Sequence, residues 1–66
     1  MLISFNGKDI EIGEGTTVEV LLSDLRIKKE LIVIELNRGI LDRKRYPETI
    51  LSPADSVECI SFMGGG

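Results

Sequence analysis

The spacing of hydrophobic residues changes several times along this 66-residue chain and predicts short strands and one helix. The first two apolar runs, Leu2 to Phe5 and Ile10 to Ile12, flank Asn6 and Gly7. Asparagine and glycine tolerate the positive φ angles of a tight turn, so these runs predict a β-hairpin.

The next segment changes to helical spacing. Its apolar residues recur at intervals of three or four and share one stripe: Val18, Leu21, Leu22 and Leu25. Thr16 and Glu19 have the spacing of a capping box, and Thr17 is an alternative N-cap. The segment therefore predicts an amphipathic helix that buries this stripe.

The second half of the chain begins with a continuous apolar run, Leu31 to Asn37, which is rich in branched residues. Such a run is typical of a strand buried on both faces in the middle of a sheet. After Asn37 and Gly39, the pair Ile40–Leu41 predicts a short return strand. A charged connector follows, in which Asp42 to Arg45 is expected to be a solvated segment and Pro47 a breaker.

The last apolar run alternates between two faces: Val57, Cys59 and Ser61 on one, and Glu58, Ile60 and Phe62 on the other. We expect the first face to meet the helix, with Cys59 a small buried residue whose thiol is inert. The second face is predicted to be exposed. Ile60, Phe62 and Met63 are then the candidates for binding partners, since they lie next to the end of the chain.

The order of elements predicts an α+β fold, in which a helix inserted between two hairpins packs across one face of a mixed sheet. This is the outline of the ubiquitin-like β-grasp, with four to five strands on one main helix. We expect one domain over residues 1–63 and a flexible glycine tail over 64–66, because side-chain-free residues lose much entropy on ordering.

The composition and length of the chain narrow the range of possible functions. The net charge of -3 argues against nucleic acid and favours a basic protein face as partner. Histidine is absent and there is one cysteine, so neither a metal site nor a disulfide framework is expected. A chain of this size hardly encloses a deep pocket, which disfavours an enzyme. No apolar run has the length of a membrane span and the start lacks a signal peptide, so a cytoplasmic protein is expected.

The segment from Val33 to Gly66 resembles the second half of the ThiS family, the sulfur carrier proteins of thiamine biosynthesis. The residues that match the family pattern are Asn37, Arg43, Tyr46, Leu51, Asp55, Val57, Glu58, Gly65 and Gly66. The chain departs from the pattern at Asp42, where proline is usual, and at Ala54, where glycine precedes the aspartate. Both departures lie in predicted turns.

The resemblance implies a carrier rather than a catalyst, with no catalytic or metal-binding residues and no cofactor held by the chain. An adenylyltransferase of the ThiF type would use ATP to activate the carboxylate of Gly66, which would then become a thiocarboxylate. Gly64 and Gly65 would let the slim tail enter the partner's site.

The resemblance also implies a sulfur acceptor, a thiazole synthase of the ThiG type, and an indirect sulfur source, a cysteine desulfurase. Three alternatives stay open at this point. They are the small subunit of molybdopterin synthase or another sulfur carrier, a ubiquitin-like protein modifier, and a non-covalent interaction module in which the tail has no chemical role.

Overall fold

Five strands and one helix form the two layers of a computed structural model, which describes residues 1–61. The strands are β1 (Leu2–Phe5), β2 (Lys8–Glu11), β3 (Ile32–Leu36), β4 (Gly39–Leu41) and β5 (Ser56–Ser61), and the helix is α1 (Val18–Asp24). The sheet order is β2-β1-β5-β3-β4. β1 and β5 are parallel, while the other neighbours are antiparallel. The predicted α+β fold is confirmed.

Two tight turns produce the two hairpins of the sheet. Asn6 and Gly7 have φ angles of 50° and 83° between β1 and β2, as predicted. Asn37 and Arg38 have φ angles of 51° and 72° between β3 and β4. β2 ends at Glu11, opposite Leu2, which is one residue before the predicted end of this run. Ile12 still bonds to Met1: its amide donates to the Met1 carbonyl at 2.8 Å, and its carbonyl accepts from the Met1 amino group at 2.6 Å.

The helix begins at the alternative cap. The Thr17 hydroxyl accepts a hydrogen bond from the Val20 amide at 3.1 Å, which satisfies one free N–H group of the first turn. The Thr16 hydroxyl instead donates to the Gly13 carbonyl at 2.7 Å. The predicted capping box of Thr16 and Glu19 is therefore wrong, and Thr17 is the N-cap.

The end of the helix departs from the predicted stripe. Arg26 has a φ of 59°, and the amides of Arg26 and Ile27 donate to the carbonyls of Ser23 and Leu22. These two bonds form a Schellman turn, which satisfies the last carbonyls of the helix. The turn leaves Leu25 41% exposed, while Ile27 packs against the core. The prediction that Leu25 is buried with the stripe is wrong.

The core lies between α1 and one face of the sheet, hereafter the inner face. Among residues 1–61, nine buried residues form it: Ile3, Val18, Leu21, Leu22, Ile32, Ile34, Tyr46, Leu51 and Val57. The helix covers only one side of the sheet, so β3 alternates, with Ile32 and Ile34 buried and Val33 and Glu35 half-buried. The prediction that this run is buried on both faces is wrong, because the helix covers one face only. β3 does lie inside the sheet, between β5 and β4, although the middle strand of the five is β5.

The charged connector after β4 contributes to the core, which its composition did not predict. Asp42 to Arg45 are exposed, and the Asp42 carboxylate accepts a hydrogen bond from the Lys44 amide in a short 3₁₀ turn, Arg43–Arg45. Tyr46 follows this turn and is 1% exposed. Its hydroxyl accepts a hydrogen bond from the Ile34 amide at 3.2 Å, so the ring is buried with its polar atom satisfied.

Among residues 1–61 there is no helix with the length and apolar character needed to cross a membrane.

Candidate functional site

The site suggested by the sequence is the end of β5, from which the chain continues towards Gly66. β5 pairs with β3 over its last five residues, from Val57 opposite Leu36 to Ser61 opposite Ile32. On its other side, β5 pairs with β1 only as far as Val57, which lies opposite Phe5. The last four residues of β5 thus extend past the end of β1.

A side chain continues the hydrogen-bonding ladder where β1 stops. The Asn6 amide donates to the Val57 carbonyl at 2.9 Å, and the side-chain oxygen of Asn6 accepts from the Cys59 amide at 2.7 Å. Asn6 therefore has two functions: it adopts the positive φ of the hairpin turn and it holds the last part of β5. The sequence pattern identified only the first.

The start of β5 is fixed by a network around Asp55. Its carboxylate accepts hydrogen bonds from the Asn37 side chain at 3.0 Å and from the Ser52 amide at 2.8 Å. The Asn37 side-chain oxygen accepts from the Ser56 amide at 2.8 Å. Asn37 and Asp55 thus tie the β3–β4 turn to the turn before β5. This gives a structural reason for two residues on which the family resemblance depends.

The inner face of β5 carries the cysteine. Cys59 lies opposite Ile34, is half-buried and packs against the core. Burial raises the pKa of its thiol, which disfavours the reactive thiolate. The predicted orientation is confirmed, although the side chain is less deeply buried than expected. Its position at the end of the core explains the difference.

The outer face of β5 carries Glu58 and Ile60, as the alternation predicts. Ile60 is 46% exposed and lies opposite Val33, while Glu58 lies opposite Glu35. Glu35 in turn lies opposite Ile40, which is 67% exposed. Strand pairing therefore brings residues of three strands together beside Ile60. Sequence reasoning missed Glu35 and Ile40, because only the register of β3 and β4 shows that they neighbour β5.

The other predicted site residues, Phe62, Met63, Gly64, Gly65 and Gly66, lie outside the residues that the structure describes. Their predicted roles stay predictions. Within residues 1–61, no group of three or more histidine, cysteine, aspartate or glutamate side chains is placed to hold a metal ion.

Comparisons with known proteins show what the chain is similar to. The model of the ThiS family matches residues 3–66. The sulfur carrier protein ThiS of Bacillus subtilis is 32% identical over 66 residues, which cover 98% of this chain and all of that protein. The crystal structure of the thiamine biosynthesis protein ThiS from Geobacter metallireducens has a TM-score of 0.87 and 36% identity, with both chains covered completely.

Another relative is much longer than this chain and is named a thiazole synthase. The thiazole synthase of Magnetococcus marinus is 35% identical over the whole of this chain, which spans only 20% of that protein. The family model, the full-length carrier and the solved structure all agree with the resemblance found in the sequence and with the ubiquitin-like β-grasp. The chain belongs to the ThiS family.

Proposed function

We propose that this chain carries sulfur for the formation of thiazole in thiamine biosynthesis, as a thiocarboxylate on Gly66. The observation that carries the proposal is the match to the ThiS family over residues 3–66, which includes the terminal glycines. The full-length similarity to a sulfur carrier protein supports it. As a member of this family, the chain is a carrier rather than an enzyme.

The chemistry begins with activation of a carboxylate, which is a poor electrophile. A ThiF-type adenylyltransferase binds the tail, and the Gly66 carboxylate attacks the α-phosphorus of ATP with release of pyrophosphate. The outer sulfur of a persulfide, which originates on a cysteine desulfurase, then attacks the acyl carbon, and AMP leaves, which forms an acyl disulfide. A thiol attacks the other sulfur of this S–S bond, which leaves a disulfide and releases the thiocarboxylate, in which one sulfur replaces one oxygen.

The tail and the domain have different roles because the glycines of the tail have no side chains. Glycine has no β-carbon to obstruct the approach of the backbone to an enclosed nucleotide site, so Gly64 and Gly65 provide reach. The domain provides recognition, because three glycines offer no side chains to distinguish one partner from another. Ile60, Phe62 and Met63 supply an apolar contact beside the tail. The acceptor is a thiazole synthase of the ThiG type, and the setting is the cytoplasm.

The proposal is tested by intact-protein mass spectrometry after incubation with the ThiF-type adenylyltransferase, ATP, the desulfurase and cysteine. We expect a mass increase equal to sulfur replacing oxygen, with fragmentation placing it on Gly66. Deletion of Gly66 should abolish the increase, whereas Cys59→Ala should retain it. An increase that maps to Cys59, or one that survives the deletion, contradicts the thiocarboxylate.

A further inference from the structure

Two glutamates lie directly opposite each other on the outer face of the sheet. Glu35 of β3 and Glu58 of β5 are Cα partners in an antiparallel pair, which places their β-carbons about 5 Å apart. Ile40 flanks Glu35 on β4, and the pair Val33 and Ile60 lies one step along the same face. These five residues are called the Glu35–Glu58 patch.

Stability does not explain the two glutamates. Like charges directly opposite each other destabilise a sheet. Among residues 1–61, neither carboxylate lies within 4.0 Å of a cationic group, since the ion pairs found there involve Glu11, Glu19 and Glu48. The repulsion is therefore unrelieved within the described part of the chain.

The charged strand side chains on the outer face have one sign, and one of them, Glu11, forms an ion pair with the Met1 amino group. By alternation from the buried residues, the charged side chains that the described strands place on this face are all acidic: Asp9, Glu11, Glu35 and Glu58. The strand cation, Lys8, is opposite Phe5 and so belongs to the inner face. A face of this kind attracts a basic surface and repels an acidic one.

We propose that the Glu35–Glu58 patch docks a protein surface that presents an arginine beside an apolar side chain. The planar guanidinium has five donors in a fixed fork, so one arginine can bond to both carboxylates and relieve their repulsion. The exposed carbons of Ile40 and Ile60 flank this position and contact the apolar side chain. The proposal deepens the proposed function and rests on it.

The occupant is the sulfur acceptor, a thiazole synthase. Relatives with that name contain a segment similar to this entire chain, which supports this class of protein as the partner. Ile60 is one residue from the end of β5, so a partner docked on the patch lies beside the point from which the tail departs. Docking there would hold the tail near the partner's reacting site at a high effective concentration.

The experiment compares two double variants with the same change in net charge. The first, Glu35→Gln/Glu58→Gln, neutralises the patch with nearly the same side-chain shape. The control, Glu14→Gln/Glu30→Gln, removes two exposed carboxylates outside the strands. Dissociation constants for the thiazole synthase of the same organism are measured at low and high salt, beside a thermal melt of each variant.

We expect the patch variant to bind about tenfold or more weakly, because a charge-assisted pair is lost, and to show a shallower dependence on salt. Its melting temperature should rise by about 2 to 5 °C, since the repulsion is removed. Opposite signs for binding and stability distinguish docking from a structural role. The control should bind like the unmodified chain.

Three results would overturn the inference. If the patch variant and the unmodified chain bind the synthase with equal affinity, the patch is not the docking site. If the patch variant and the control variant bind equally weakly, the attraction depends on net charge alone. An unmodified chain that acquires sulfur on Gly66 but does not bind the synthase would show that the occupant is wrong. Failure of the proposed function itself is separately visible, as absence of sulfur on Gly66.

Discussion

The two faces of β5 differ in the burial and the charge of their side chains. On the inner face, Val57 is fully buried and Cys59 packs against the core. On the outer face, Glu58 and Ile60 are exposed, and the neighbouring strands add Glu35 and Ile40. The inner face stabilises the domain, whereas the outer face holds an unrelieved acidic pair beside exposed apolar carbons. Successive residues of β5 thus alternate between the core and the proposed docking patch.

Neighbouring residues of β3 should show the largest difference in stability between the two faces. Ile34 is fully buried opposite Cys59, and Val33 is half-buried opposite Ile60. Ile34→Ala should lower the free energy of unfolding by about 2 to 4 kcal/mol, because it leaves a cavity. Val33→Ala should lower it by less than about 1 kcal/mol. Urea unfolding measures both, and similar losses would mean that the outer face is also covered.

A second test concerns the two faces of β5 itself. Cys59→Ser places a hydroxyl at the end of the core and should lower the free energy of unfolding by about 1 to 2 kcal/mol. Ile60→Ser is the matched change on the outer face and should cost about 0.5 kcal/mol or less.

Thiol alkylation of the unmodified chain at mildly alkaline pH is the companion measurement. Burial raises the pKa of Cys59 and leaves less thiolate at a given pH, so labelling should be much slower in native buffer than in urea. Equal labelling rates, or a larger loss for Ile60→Ser than for Cys59→Ser, would reverse the assignment of the faces.

The sequence predicted the elements whose signals are local. The Asn6–Gly7 turn, the return strand after β3 and the alternation of β5 all depend on residues close together in the chain. The helix was placed correctly but its end was not, because Arg26 adopts the positive φ at which glycine is the usual marker.

Other features depend on distant pairing and had no local signal. The central position of β5 follows from strand order, and Glu35 meets Glu58 only through the register of β3 with β5. Tyr46 lies in a segment whose charges indicate a solvated connector, yet its ring enters the core. The resemblance to a family marked Tyr46 as a matching residue, whereas the hydrophobic pattern did not.

The turn that leads into β5 precedes both faces of the strand, and we expect changes there to alter stability less than changes in the core. Ser52 to Asp55 has the features of a type II turn: proline at the second position, a φ of 68° at Ala54, and a hydrogen bond of 3.1 Å from the Asp55 amide to the Ser52 carbonyl. The third position of this turn favours glycine, since a β-carbon is strained at positive φ. Ala54 is also the place where the family pattern has glycine.

Ala54→Gly should therefore raise the free energy of unfolding by about 0.5 to 1 kcal/mol, the relief of strain exceeding the entropy that glycine adds to the unfolded chain. Ala54→Val, with a branched side chain at the same φ, should lower it by about 1 kcal/mol or more. Urea unfolding of the two variants measures opposite signs if the turn is strained as described. A loss of stability for Ala54→Gly would mean that the alanine methyl contributes more by contact than its backbone conformation costs.

Within residues 1–61, the turn around Ala54 is bonded to β1 and not to the patch. The Ala54 amide donates to the Leu2 carbonyl, and the Asp55 carbonyl accepts from the Ser4 amide, so relief of backbone strain at Ala54 stabilises the junction of β1 with β5. The variant should therefore leave the affinity of the Glu35–Glu58 patch for its partner unchanged.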